Sequence, residues 1–301
     1  MTRFAGVYVA LVTPFTADFE VDYKRLHELC EWMISQGVHG LVPSGSLGEY
    51  ATLTNEERAK VIDTVIQAAA GRVPVVVGSA APSTQQATGW VRYAKEAGAA
   101  GVMALPPINY KPLEHEVIAH YEALNSVGLP IIAYNNPHDY KTDLTPEFLA
   151  RLSALDNIVA VKEFSGDVRR MHEIMEKTNL EVMVGVDNLA MEGPLIGATG
   201  WIAGVPNALP KEGVELFDLA RAGKREEALP LYRRLLPLFR YDASPQLVQS
   251  IKYMMELAGF PVGPTRPPRL PLPEADYEAI RQAYQHAVSG KAEISLPGSG
   301  T

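Results

Sequence analysis

The chain has 301 residues, with 27 basic against 35 acidic side chains and a formal net charge of −8. That balance excludes functions built on attraction to nucleic acid or to an anionic membrane, because counterion release needs a Lys/Arg excess. At 47% hydrophobic and 21% charged residues there is material for a large core and too little charge density for a disordered chain. Met1 to Phe4 is too short of apolar length for a signal peptide, and no run approaches the roughly 18 apolar residues of a membrane span, so a cytoplasmic location is expected. The single cysteine, Cys30, excludes an intrachain disulfide and lies at helical spacing among Leu26, Leu29 and Met33, which reads as core.

In chain order, eight short β-rich apolar runs recur: Val7 to Val12, Gly40 to Val42, Val73 to Val77, Gly101 to Leu105, Leu129 to Tyr134, Ile158 to Lys162, Glu181 to Val186 and Gly200 to Val205. Amphipathic segments of helical length lie between them, among them Tyr23 to Ser35, Glu56 to Ala70, Thr84 to Ala97 and Glu114 to Ser126. Their starts carry capping chemistry: Thr54 and Ser83 each precede a Glu or Gln three residues on, and Thr145 precedes Pro146. Gly37, Gly71, Gly98 and Gly128 mark the helix ends.

Strand then helix, eight times over about 225 residues, predicts an α/β protein of the (β/α)8 TIM barrel type. The absence of G-x-G-x-x-G after the first strand counts against an open dinucleotide-binding sheet. Past the eighth run only helical patterns follow: Lys211 to Ala222, Arg225 to Phe239, Pro245 to Ala258 and, beyond a Pro-rich joint, Glu274 to Val288. The expected division is a barrel over 1–222, a C-terminal helical extension over 223–290 and an unpatterned tail over 291–301.

In such a barrel the chemistry belongs at the C-terminal ends of the strands. Strand six ends Val161-Lys162-Glu163, which places an amine at the mouth. Partial desolvation would lower its pKa and free it to attack a carbonyl, whereas pairing with Glu163 would make it structural; position alone leaves both open. Tyr134, ending strand five one strand away, has a hydroxyl that both donates and accepts protons, and equally fits as a core phenol. After strand two, the turn Gly45-Ser46-Leu47-Gly48-Glu49 can present backbone N–H groups and the Ser46 hydroxyl to an anion, although many tight turns look alike. His138, just past strand five, is a further candidate to face substrate. None of the seven histidines forms an H-E-x-x-H pair, and no metal site is expected.

Together the Gly45-to-Glu49 turn, Tyr134-Asn135-x-Pro137, Val161-Lys162-Glu163 and Gly185-Val186-Asp187 resemble the dihydrodipicolinate synthase / N-acetylneuraminate lyase family, in order and spacing, over nearly the whole chain. The resemblance implies a homotetrameric barrel that binds a pyruvate-like 2-oxo acid as an imine on Lys162, with no cofactor beyond that covalent link. It assigns proton transfer to Tyr134, carboxylate binding to Ser46 and the Leu47 N–H, and lining of the pyruvoyl pocket to the backbone near Ile202, with Gly45 and Gly185 also among the substrate-binding residues.

Three departures bear on substrate. The family's lysine-pathway synthases carry a second hydroxyl where this chain has Leu47, which predicts a broken hydroxyl relay. They carry a strand-four-loop tyrosine that falls on Asn109, with Tyr110 adjacent as a substitute. Their carboxylate-binding arginine falls on Asp139, an acid that would repel a distal carboxylate. The resemblance therefore points to a catabolic lyase on a hydroxylated 2-oxo acid or its cyclic imine, such as 1-pyrroline-4-hydroxy-2-carboxylate deaminase. A 2-keto-3-deoxy sugar-acid dehydratase or aldolase, the synthase itself, a metal-dependent aldolase and a non-catalytic 2-oxo acid sensor stand as alternatives.

Overall fold

A computed structural model of the protein describes residues 3–289; the tail expected over 291–301 lies outside the described residues. The eight apolar runs form β1 (Gly6–Ala10), β2 (Gly40–Val42), β3 (Val76–Gly78), β4 (Gly101–Ala104), β5 (Ile131–Asn135), β6 (Ile158–Glu163), β7 (Glu181–Val184) and β8 (Gly200–Ala203). All pairings are parallel, in the order β2-β1-β8-β7-β6-β5-β4-β3. A Leu41–Val75 bridge, with Gly78 N donating to Pro43 O at 2.9 Å, brings β2 onto β3 and closes a (β/α)8 barrel. Strands such as Gly-Val-Tyr-Val-Ala are buried at every position because one face fills the barrel and the other meets helices.

The connecting helices are α1 (Tyr23–Ser35), α2 (Asn55–Ala69), α3 (Thr84–Ala97), α4 (Glu114–Asn125), α5 (Pro146–Leu152), α6 (Val168–Lys177), the single turn α7 (Glu192–Leu195) and α8 (Pro210–Arg221). Thr54 completes a capping box, taking the Glu57 N–H at 3.1 Å while Glu57 takes the Thr54 N–H at 2.9 Å. Ser83 makes only half of one: it accepts from Gln86 N, but the Gln86 side chain turns back on the Ser83 hydroxyl instead of its N–H.

Strands seven and eight are shorter than the apolar runs predict, ending at Val184 and Ala203. The reason is a competing acceptor. Asp187 captures the Gly204 and Val205 N–H groups, and the chain folds into single 3₁₀ turns at Asp187–Leu189 and Val205–Asn207.

Helices α9 (Arg225–Phe239), α10 (Leu247–Leu257) and α11 (Glu274–Val288) form the C-terminal extension. They share one contiguous apolar core with the barrel, through Leu235, Phe239, Ile251 and Met255 among others. The extension thereby lies against the ends of β7, β8 and β2, and two of its polar side chains reach the barrel mouth. No helix among the described residues is long and apolar enough to cross a membrane.

Candidate active site

Successive residues of a strand point to opposite faces, so Lys162 and Glu163 at the end of β6 diverge. Glu163 is fully buried on the outer side, where it accepts from Asn135 Nδ2 at 3.1 Å and from Ser165 N at 2.6 Å. The structural pairing of Lys162 with Glu163 is therefore absent. Lys162 points into the mouth, is 6% exposed, and has no carboxylate within 4.0 Å among the described residues. Its Nζ lies 4.3 Å from the centroid of the Tyr134 ring and 5.4 Å from that of Phe164. Burial drives the amine below the ordinary lysine range, opposed by Asp242, Asp187 and Asp139 at longer range. Gly185 makes room for this side chain: a Cβ there would lie 2.6 Å from Glu163 O and 3.1 Å from Lys162 Cγ.

Tyr134 stands in register with Lys162 on the neighbouring strand, buried like it. Its hydroxyl accepts from Asn136 Nδ2 at 3.2 Å, and burial raises its pKa well above that of a free phenol. Asn136 organises the following turn, donating to Asp139 Oδ2 at 2.8 Å and accepting from the His138 and Asp139 N–H groups. Asp139 thus sits on the rim, whereas His138 is exposed, with Nε2 2.9 Å from Ser165 O, and does not face the site.

The same turn returns Tyr140 over the mouth, its hydroxyl 3.1 Å from that of Ser46. Leu47 is buried as a core residue and supplies no hydroxyl, while Ser46 meets the hydroxyl of Tyr140. The strand-four loop plays no part in the site of its own chain. Asn109 donates to Pro82 O at 2.6 Å and Tyr110 is 80% exposed, because Pro106, Pro107 and Pro112 carry this loop over the surface.

Ser44 and Glu49 both adopt left-handed backbone angles, φ 60° and 55°, a strained arrangement typical of binding turns. The N–H groups of Gly45, Ser46 and Leu47 donate to no acceptor among the described residues. With the Ser46 hydroxyl they are a cluster of uncommitted donors at the mouth. Ile202, fully buried in β8, contributes apolar wall.

Two acids complete the mouth, and neither was singled out as a site residue from sequence. Asp187 accepts from Trp201 Nε1 at 2.9 Å, Gly204 N at 3.0 Å and Val205 N at 2.6 Å. Burial raises its pKa to about 6 against those donors. Asp242, on the turn that follows α9, takes the Asp187 N–H on Oδ2 at 3.0 Å. A third buried group, Lys252 of α10, pairs with Glu49 of the β2 turn at 2.9 Å. Nothing local in Arg240-Tyr241-Asp242-Ala243 signals a site; only the docking of the extension brings it there. Among the described residues no three His, Cys, Asp or Glu side chains converge as a metal site.

A barrel with an unpaired, desolvated lysine and a phenol at its mouth is the architecture of a class I, Schiff-base-forming lyase. The chain matches the model of the dihydrodipicolinate synthetase family over residues 3–287 and belongs to that family. It is 37% identical to a 4-hydroxy-tetrahydrodipicolinate synthase of Jannaschia sp. (strain CCS1), over 94% of this chain and 98% of the relative. It is 36% identical to the protein of the same name from Methanosphaerula palustris, over 91% and 95%. Among solved structures, the chloride-inhibited dihydrodipicolinate synthase from Acinetobacter baumannii complexed with pyruvate superposes with a TM-score of 0.89 at 33% identity, covering 94% of this chain and 98% of that one. The Aquifex aeolicus dihydrodipicolinate synthase gives 0.89 at 30%, over 94% and 97%.

Proposed function

We propose that the protein is a catabolic lyase that binds a 2-oxo acid or its cyclic imine on Lys162 and expels a substituent from C4, as a dehydratase or deaminase. The observation that carries this reading is a buried Lys162 amine with Tyr134 beside it and, among the described residues, no acid within ion-pair distance. The carboxylate of the substrate fits the Gly45-Ser46-Leu47 cradle. Neutral Lys162 adds to C2. The Tyr134 hydroxyl gives its proton to the departing C2 oxygen or nitrogen, and the phenolate so formed, beside the iminium cation, takes back a proton from C3. The enamine that results weakens bonds at C4. Asp139 on the rim disfavours a substrate with a second, distal carboxylate, and no cofactor is called for.

The second reading, 4-hydroxy-tetrahydrodipicolinate synthase, is favoured by the names of the relatives. It also has support in the Ser46–Tyr140 hydroxyl pair and in Arg269, which lies close enough to Tyr140 to act on its phenol. A homotetramer is part of either reading, supported by the exposed Tyr110 and Leu113 ahead of α4 as apolar surface for a second copy.

One panel separates the readings: a hydroxylated pyrroline carboxylate, 2-keto-3-deoxy sugar acids, N-acetylneuraminate, and aspartate semialdehyde with pyruvate, each followed to product. Turnover of the pyrroline or deoxy sugar acids is the expected result. Condensation of the last pair, with the others inert, establishes the synthase and removes the catabolic reading. Reversible pyruvate binding without a borohydride-trapped adduct on Lys162 leaves only a sensor.

A further inference from the structure

Three acids lie within electrostatic range of Lys162, and they differ in what their oxygens already do. Asp187 is committed to two backbone N–H groups and an indole N–H, which hold it as a structural carboxylate tying β7 to β8. Asp139 is exposed on the rim and bonded to Asn136. Asp242 alone combines burial, at 6% exposure, with an unused oxygen. Its Oδ2 is fixed by the Asp187 N–H, whereas Oδ1 bonds no group among the described residues and is not sealed from solvent.

Gly204 makes this placement possible, since a Cβ there would come within 2.6 Å of Asp242 Oδ1 and 3.3 Å of Asp187 Oδ2. Two carboxyls on either side of one glycine, one of them bonded to the other's backbone N–H, each disfavour the other's ionisation. The three donors around Asp187 favour the charge there, which leaves Asp242, with its single N–H donor, the carboxyl more disposed to keep a proton. Burial and the Asp187 charge together push the Asp242 carboxyl well above the usual carboxylate range.

We propose that Asp242 is the general acid that protonates the hydroxyl expelled from C4 of the substrate held as an imine on Lys162. The inference rests on the lyase reading above. In this step the C3 proton has passed to Tyr134, and the enamine electron pair forms the C3=C4 bond. The C4–O bond breaks, and the departing oxygen takes the Asp242 proton and leaves as water. Asp242 is then a carboxylate beside the iminium. It recovers its proton from the water that adds to C2 when the imine is hydrolysed, which restores the free Lys162 amine.

Asp242→Asn preserves the shape and an acceptor for the Asp187 N–H but has no acidic proton. Two readouts separate its roles in holding Lys162 and in protonating the leaving group. The first is exchange of the pyruvate methyl protons in D2O, which needs the imine and Tyr134 but no leaving group. The second is turnover of 4-hydroxylated substrates from the panel. The expected result is exchange slowed less than about threefold while turnover falls about 10²- to 10⁴-fold. A 4-fluoro analogue, whose leaving group departs without a proton, should recover most of that loss. Asp242→Ala should show the same split.

Equal loss in both readouts overturns the proposal, since Asp242 would then only position Lys162, and so does full turnover by Asp242→Asn. If the unmodified protein exchanges pyruvate but turns over no 4-hydroxylated substrate, the lyase reading fails first and takes the proposal with it. That outcome is seen without any variant, so the two failures are distinguishable.

Discussion

Two lysines are buried at the same end of this barrel, Lys162 at 6% exposure and Lys252 at 5%, and they are prepared for different tasks. Lys252 pairs with Glu49 at 2.9 Å, donates to Pro264 O at 2.7 Å and lies over the Phe15 ring. Burial lowers its pKa to about 8, with Glu49 pulling the other way. Lys162 is just as dry but, among the described residues, has ring faces beside it and its acids beyond ion-pair reach. Burial disfavours the charge on both amines, yet only the second is left with a lone pair that nothing else engages. The amine proposed as nucleophile is thus distinguished from the structural cation by its immediate partner, not by its burial.

The largest test of that contrast is exchange of function. Lys162→Met should abolish borohydride trapping of pyruvate and lower turnover by at least about 10⁴-fold, while Lys252→Met retains the mass increase on Lys162. An adduct on Lys252, or trapping that survives Lys162→Met, would break the comparison.

Next in size is stability. Removing one member of the buried pair, by Glu49→Gln or Lys252→Met, should cost about 3–5 kcal/mol in urea denaturation, because the remaining charge is stranded. The double variant should recover much of that loss. Additive losses would show that the two groups act independently.

The smallest effect sharpens the comparison with a third buried base that has no charged partner. His120 is 4% exposed, its Nδ1 2.9 Å from the Thr84 hydroxyl, and burial lowers its pKa to about 4. Because the folded value lies below that of the unfolded chain, the unfolded state binds the proton first. The contribution is complete above about pH 6.5 and is lost as the pH falls toward 4, with a limiting slope of about 1.4 kcal/mol per pH unit. Denaturation midpoints across that range should fall more steeply in the unmodified protein than in His120→Gln. Parallel curves would refute the assignment.

Much of the scaffold was legible because its causes are local. Tyr23–Ser35, Thr84–Ala97, Arg225–Phe239 and Glu274–Val288 begin and end where spacing and flanking residues place them. Lys162 and Tyr134 were legible as the ends of apolar runs, since in a parallel barrel a strand's end is also its mouth. The Asn109–Tyr110 reading did not carry into the site of this chain, and Tyr140 took up the hydroxyl contact, because a loop's path depends on what its backbone can pair with.

The sequence by itself determined the alternation of strand and helix, the barrel class, the amine at the end of β6 and the glycine-rich turn after β2, all of which follow from periodicity and from residues within a few positions. Only the tertiary structure decided that Lys162 lacks an acidic partner, that Lys252 has one more than 200 residues away in Glu49, and that Asp242 enters the mouth from the extension. These depend on distances between elements remote in the chain. Burial and charge act through space, and no spacing along the sequence encodes them.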